Sequence, residues 1–158
     1  MKTGRILMSF LITIMCVGFT SCGDDDDDLE KEQARMKEAL VGHWLTTDEQ
    51  GWSVRDGGAK KPFHLSDSLI AATSEVTVIK EDGSGYTFTS DAASYDDFEW
   101  QLSGKSLTLV GEKMGTYKYT VKSVNETTLK LEMYIKEDDD EIFLTLTATK
   151  MTDTEIIR

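Results

Sequence analysis

Beyond residue 42 the chain alternates between apolar and polar side chains. In three clear runs every second residue is apolar: DFEWQL, TYKYTVK and TLKLEMYIK. The run EIFLTLTATK continues this pattern near the C-terminus. A period of two is typical of strands in an antiparallel sheet that has one face in the core and the other in water. With a first strand over residues 44–48 and another near residues 52–54, the pattern predicts eight or nine strands.

Short turns separate these predicted strands. Asp82-Gly83, Gly104, Asn125 and residues 138–140 each lie between two alternating runs, and Asp-Gly is the strongest short signal for a β-hairpin. Consecutive hairpins favour an all-β fold, an antiparallel up-and-down β-barrel of about eight strands. Such a barrel is either filled by side chains or holds one small ligand.

The stretch of residues 56–75 is long for a barrel loop. Long connections in compact domains are often functional, so this loop is a candidate lid, with a helical turn predicted over residues 69–72.

Before the barrel, residues 29–41 are rich in strong helix formers and end next to Gly42. They predict a short N-terminal helix that docks on one end of the domain.

The leading segment, residues 1–21, has a basic start at Lys2 and Arg5 and then an apolar run. As a helix, the fourteen residues of that run reach only about 21 Å, which is short for a hydrocarbon core of about 30 Å and suits a cleaved export signal. The sequence FTSC at its end resembles the lipobox of bacterial lipoproteins. The resemblance implies cleavage before Cys22, a diacylglycerol on the Cys22 thiol and acylation of the new amine, so the membrane is an expected partner. The competing interpretation is an ordinary signal peptide with an incidental cysteine.

Five consecutive aspartates follow the cysteine, and residues 22–28 are interpreted as the lipidated cysteine with an acidic tether. Like charges keep such a run extended and solvated. An acidic cluster directly after the lipidated cysteine also resembles the surface-export signal of lipoproteins in one group of Gram-negative bacteria. The expected location is therefore the outer membrane, with the domain exposed at the cell surface. Contiguous aspartates do not converge on one calcium ion as alternating ones do.

The sequence LVGHWLTTDE resembles the opening of a lipocalin, in which a glycine, one residue and a tryptophan begin the first strand after a short helix. Gly42 and Trp44 carry this match, and the later strand rhythm is similar to the lipocalin-like domains of bacterial lipoproteins. The resemblance implies a barrel over residues 42–151, followed by a tail at 152–158. It also implies that Trp44 closes one end of the barrel beneath a basic side chain from the last strand, for which Lys150 is the candidate. The threonine-aspartate-tyrosine step of the ligand-carrying lipocalins is absent.

Charge and composition exclude some functions. The net charge is −12, and without Lys2 and Arg5 it becomes −14, which repels nucleic acid. No catalytic constellation, phosphate-binding loop or cofactor motif appears. Two histidines, His43 and His64, without a neighbouring thiol do not make a zinc site, so we expect no metal, no cofactor and no enzyme activity. DSL at residues 67–69 resembles a short acceptor motif for O-linked glycans, which would place a sugar on Ser68.

Aromatic side chains are the candidate ligand contacts, because they stack on sugars and cover apolar ligands equally well. Core filling is the alternative role for each of these six: Trp52, Tyr86, Phe88, Trp100, Tyr117 and Tyr119.

Two functional hypotheses follow. The first is an anchored lipocalin-like binding module for a small apolar or sugar-like molecule at the cell envelope. The second is a structural or accessory lipoprotein whose barrel is filled and whose outer surface binds a protein partner. A hydrolase ranks last for want of catalytic residues, and the sequence leaves the oligomeric state open.

Overall fold

The computed structural model describes residues 24–65, 75–89 and 95–152, and for residues 24–27 it describes the backbone alone. Within these ranges one helix precedes nine strands. Their bounds are α1 Asp24–Leu40, β1 Gly42–Val54, β2 Lys61–Leu65, β3 Glu75–Ile79, β4 Ser84–Thr89, β5 Tyr95–Ser103, β6 Ser106–Gly111, β7 Gly115–Val124, β8 Thr128–Glu137 and β9 Asp140–Lys150.

The sheet closes on itself. From β3 to β9 each strand pairs antiparallel with the next along the chain, and β1 joins β9 to β3. Strand β2 pairs with residues 49–53 of β1, on the same side of β1 as β3, which pairs with residues 42–45. Together β2 and β3 therefore occupy one position, and the result is a closed antiparallel barrel of eight positions. The predicted fold class, a lipocalin-like barrel with a short N-terminal helix, is confirmed.

The first strand differs from the prediction. Residues 42–54 form one continuous strand instead of two, and its register against β9 shifts between Thr46 and Asp48. This bulge adds one residue and exchanges the inward and outward positions of the strand. Trp44 and Thr46 face inward before the bulge, whereas Glu49 and Gly51 do so after it. The broken alternation caused the prediction of two strands.

The predicted loop over residues 56–75 is also shorter than expected, because it contains β2. This strand was missed because KPFHL begins with a charge and a proline and has no clear period of two. Proline is tolerated where a strand starts or lies at an edge. The predicted helical turn at residues 69–72 and the predicted glycan acceptor Ser68 lie outside the described residues, as do Cys22 and the leading segment.

Helix α1 begins at Asp24, five residues before the predicted start at Leu29. The expectation of an extended acidic tether is therefore wrong from Asp24 onward. The physical reason is the helix macrodipole, since carboxylates in the first turns stabilise the positive end of a helix. Within the residues described, no helix has the length and apolar character needed to cross a bilayer.

The core is concentrated at the end of the barrel that α1 covers, which we call the closed end. Leu40, Trp44, Leu107 and Val121 are almost fully buried there. The indole Nε1 of Trp44 donates to the backbone oxygen of Leu40 at 2.8 Å, so the last turn of the helix is bonded to the first strand. The turns after β1 and after β8 mark the opposite end, which we call the far end.

Candidate functional site

The six predicted ligand-contacting aromatic residues do not share a pocket. Strand pairing places Trp100 and Tyr119 on the inner face of the barrel, since Trp100 pairs with Leu109 and Tyr119 pairs with Leu107. Tyr117 is also on this face, opposite Leu109, and stacks on Tyr119 with ring centroids 6.4 Å apart.

Within the described part of the barrel, the inner aromatic residues fill the interior instead of lining a ligand cavity. Trp100 is buried and its Nε1 donates to the backbone oxygen of Lys80 at 2.8 Å. The space that remains beside Tyr119 has a volume of only about 50 Å³. Met114, from the β6–β7 turn, lines this space from the far end. A cavity of this size has room for water, whereas ligand pockets typically measure about 300–1,000 Å³.

Acidic side chains surround the inner face near the far end. Burial, followed by the negative charges of Glu49 and Asp96, raises the pKa of Glu75 above its ordinary value. Burial also raises the pKa of Glu49. The pKa of the Tyr119 hydroxyl is raised, first by burial and then by the charge of Glu75. Ionisation of Glu75 and of Glu49 is therefore less favourable in the folded state than in the unfolded state.

We expect Glu75→Gln to stabilise the protein at neutral pH. A raised carboxyl pKa means that the folded state binds protons more tightly than the unfolded state, so stability falls as the pH rises through the raised pKa. A neutral glutamine removes this loss. Thermal unfolding should show a gain at about pH 7 that shrinks as the pH falls into the ordinary range of a carboxyl group. Glu81→Gln, in an exposed turn, is the matched control and should change little, and an equal gain there would contradict the explanation.

The remaining candidates face outward, and Trp52 lies in a groove. Strand pairing sets Trp52 between Pro62 of β2 and Phe143 of β9. Two residues away along β1, on the same face of the sheet, Gln50 lies between His64 and Thr145. These six side chains line an open groove of about 550 Å³ on the outer face of β2, β1 and β9, which we call the Trp52 groove.

One half of the Trp52 groove is aromatic. The rings of Trp52 and Phe143 lie 6.0 Å apart between centroids and are nearly parallel, at 19°. The ring of Tyr134, from β8, is 6.3 Å from Trp52, and its side chain is 54% exposed. The ammonium of Lys60 lies 3.7 Å from the centroid of Trp52. Together these rings make a broad apolar platform on a face that otherwise meets water.

The other half of the groove is polar. His64 Nε2 and Asp48 Oδ1 are 2.7 Å apart, and Gln50 and Thr145 lie beside them. A carboxylate, an imidazole, an amide and a hydroxyl offer both donors and acceptors within one groove. An apolar ring face next to convergent polar groups is the usual composition of a small-molecule site.

Sequence reasoning found Trp52 but missed its neighbours. Phe143 and Tyr134 occupy positions of β9 and β8 that alternate with the inward-facing leucines, so their outward direction could have been read from the pattern. A large aromatic side chain on a wet face is the signal. That Phe143 meets Trp52 depends on the β1–β9 register, which follows the bulge in β1 and is not visible in either strand alone.

A second outer cluster contains Tyr86, Phe88 and Tyr95. The ring centroids of these residues are 5.7–6.1 Å apart, and Lys80 lies 5.1 Å from the ring of Tyr86. The cluster is on β4 and β5, away from the Trp52 groove. No convergent polar groups accompany these rings among the described contacts, so this cluster is a weaker candidate.

The closed end contains the residues for which the lipocalin resemblance implies a structural role. Lys150 Nζ lies 5.2 Å from the ring centroid of Trp44, and the two residues are paired across β1 and β9. Gly42 has φ +146°, and a side chain there would collide with Lys150 Cε. The glycine thus leaves room for the lysine to lie over the indole.

Over the described part of the chain, no group of three histidine, cysteine, aspartate or glutamate residues is arranged to hold a metal ion. No family model and no curated protein matches the chain. A search of solved structures finds lobster apocrustacyanin A1, with 9% identity over 84% of this chain and 74% of that chain, at a TM-score of 0.43. The fold is lipocalin-like. This description rests on the closed eight-position barrel and its helix-capped end.

Proposed function

We propose that this protein is a lipid-anchored binding protein of the cell envelope that takes a ring-shaped, sugar-like ligand in the Trp52 groove. The observation that carries the proposal is the aromatic platform of Trp52, Phe143 and Tyr134 beside the polar group of Asp48 and His64. The apolar face of a sugar ring stacks on an aromatic side chain, while its hydroxyls need donors and acceptors at the edge. The groove supplies both.

The interior of the barrel is the less suitable site. A space of about 50 Å³ is too small for a sugar ring or an apolar ligand. Enlarging it would require the buried side chains Leu107, Leu131 and Trp100 to leave a packed core. The outer groove needs no such rearrangement.

Lys60 is the group that a ligand would have to displace. Its ammonium lies over the Trp52 ring, where a sugar would stack. An exposed cation–π contact contributes only about 0.5–1 kcal/mol, and Lys60 is an exposed residue whose side chain can turn into solvent. The site therefore opens at a small energetic cost.

The proposed anchor is Cys22, supported by the FTSC sequence that precedes the aspartates. Two or three acyl chains on one residue would hold the domain on a membrane almost permanently, because each buried CH₂ contributes about 0.8 kcal/mol. Anchoring leaves a binding domain at the envelope, where polysaccharides are abundant ligands of this chemistry. Surface exposure, directed by the acidic cluster after Cys22, is part of the same proposal.

Trp52→Ala tests the groove. Calorimetric titration against a panel of oligosaccharides should first identify a binder of the unaltered protein. For that binder we expect the substitution to weaken binding roughly 30-fold, since truncating an aromatic hot spot costs about 2 kcal/mol or more. The melting temperature should fall by a few degrees, because Trp52 is half-buried and its cross-strand aromatic contacts contribute about 0.2–1 kcal/mol each.

Tyr95→Ala is the matched control for this test. It removes an exposed ring, 57% accessible, from the second outer cluster, and it should leave the affinity unchanged. Equal losses in the two variants would show that binding does not depend on the Trp52 groove. If no sugar in the panel binds the unaltered protein, the proposal is wrong.

A further inference from the structure

Helix α1 lies across the closed end of the barrel. Its last residue, Leu40, accepts the indole hydrogen bond of Trp44 at the start of β1. Met36 lies one helical turn before Leu40, and Gln33 lies two turns before it, at the opposite rim of the barrel. There Gln33 Nε2 donates to the backbone oxygen of Leu102, near the end of β5, at 3.0 Å. Leu29 and Met36 share a groove with Gly104 and Lys105 of the β5–β6 turn.

The helix therefore spans the width of the barrel. In the order of the closed sheet, the β5–β6 pair is diametrically opposite the β1–β9 pair. From Leu29 to Leu40 the helix rises about 16 Å, at 1.5 Å per residue, which matches the step from one wall to the other. Leu29 and Gln33 consequently lie beside the β5–β6 turn, far from the strand that the helix leads into, and the first turn of α1 extends beyond that rim.

The position of Asp24 limits where the lipid can be. Asp24 already belongs to α1, and Cys22 precedes it by two residues. Two peptide steps separate the Cα atoms by no more than about 7.6 Å. The acyl chains would thus leave the protein close to the N-terminus of α1, on the β5–β6 side of the closed end.

The Trp52 groove is at the diagonally opposite corner. It lies on β2, β1 and β9, across the barrel from β5 and β6. It is also at the far end of the barrel. Trp52 is two residues before the end of β1, and Phe143 is three residues after the start of β9. The neighbouring turns are joined there by a hydrogen bond from Gly57 N to Asp139 O at 3.0 Å.

We infer that the acylated protein faces the bilayer with its closed end and its β5–β6 edge, and holds the Trp52 groove at the point of the molecule farthest from the membrane. Helix α1 acts as a rigid arm that moves the attachment point to the wall opposite the groove. Even a barrel that lies on its β5–β6 side leaves the groove facing away from the lipid. The inference rests on the proposed acylation of Cys22 and adds an orientation to it.

Quenching by labelled lipids tests the orientation. The mature acylated protein, reconstituted in phosphatidylcholine vesicles that contain headgroup spin-labelled lipid, would carry a fluorophore on an introduced cysteine. Ser103→Cys lies at the exposed end of β5, and Asp139→Cys lies in the exposed turn at the far end. In the mature chain the Cys22 sulfur would bear the lipid and Cys16 would have been removed, so the introduced thiol would be the one labelled. We expect several-fold stronger quenching at position 103 than at position 139.

An insertion checks the role of the rigid arm. Ten glycine and serine residues between Gly23 and Asp24 add roughly 17 Å of root-mean-square reach without touching the barrel, and they should bring the quenching at position 103 down toward that at position 139. Equal or stronger quenching at position 139 in the acylated protein without the insertion would overturn the orientation alone. Mass spectrometry of the same sample separates the two proposals: a chain that lacks the added acyl mass and does not bind vesicles overturns the anchor and the orientation together.

Discussion

Trp44→Ala is expected to lower the free energy of unfolding by about 3–5 kcal/mol, the usual cost of removing a buried tryptophan. Trp44 is 1% exposed and lies where α1, β1 and β9 meet. The substitution opens a cavity in the core of the closed end and leaves the buried backbone oxygen of Leu40 without its indole donor. It also removes the surface on which the Lys150 side chain lies. Urea denaturation of the chain produced without its leading segment would measure the loss.

Two further substitutions separate the contribution of the indole hydrogen bond from that of the Lys150 cation. Trp44→Phe keeps most of the ring and loses the hydrogen bond, so it should cost about 1–3 kcal/mol. Lys150→Met keeps an unbranched side chain over the indole and removes the cation, so it should cost no more than about 1 kcal/mol. A loss below about 1 kcal/mol for Trp44→Ala would show that the closed end is not held by this residue.

The strand content and the consecutive hairpins of the barrel could be predicted because they follow from local patterns. Over residues 98–102, 117–121 and 129–133 apolar and polar residues alternate, and the residues of one face are those that the structure buries, such as Phe98, Val121 and Leu131. Beyond Val121 the register of β7 against β8 shifts. Turns with Asp82-Gly83 and Gly104 have the positive φ angles that favour glycine, +88° at Gly83 and +56° at Gly104. With these turns fixed, each strand can pair only with its neighbours.

The parts that could not be predicted depend on contacts between distant segments. The bulge near Thr47 is stabilised by pairing with β9, about 100 residues later in the chain, and it decides which side chains of β1 face outward. Strand β2 forms because residues 49–53 offer an edge to pair with, not because KPFHL has a strand pattern. The Trp52 groove combines both effects, and so the sequence yielded Trp52 without its partners.

The same distinction between local and distant contacts explains why the six aromatic candidates lie on different faces of the sheet. Their residue types are equally suited to a core or to a ligand site, and only the face of the strand assigns each role. Tyr119 and Trp100 pair with the buried Leu107 and Leu109 and belong to the core. Tyr86 and Phe88 pair with Asp97 and Tyr95 on the outer face. Alternation within β4 was ambiguous because YTFT offers threonines on one face and aromatic residues on the other, and either set is compatible with burial in a sheet.

Gly85→Ala is expected to cost about 1–3 kcal/mol, the range for overpacking a filled core. Gly85 is buried on the inner face of β4, opposite Phe98. A methyl group there would lie 2.5 Å from the backbone oxygen of Val78 and would collide with the ring of Phe98. The backbone of β3 cannot retreat, because Val78 is itself paired with His43 and Tyr86. Because Gly85 has no side chain, the ring of Phe98 occupies the space that a side chain at this position would need.

Phe98→Leu, combined with Gly85→Ala, separates the two collisions. If the ring of Phe98 is the main obstacle, the double variant should lose clearly less stability than the sum of the two single variants, because residues in contact couple when both are changed. If the Val78 carbonyl dominates, the losses should add, since shortening the ring does not move the strand. Thermal and urea unfolding of the four proteins would give the coupling energy. A Gly85→Ala protein as stable as the parent would mean that the interior has room for a methyl group between β3, β4 and the ring of Phe98.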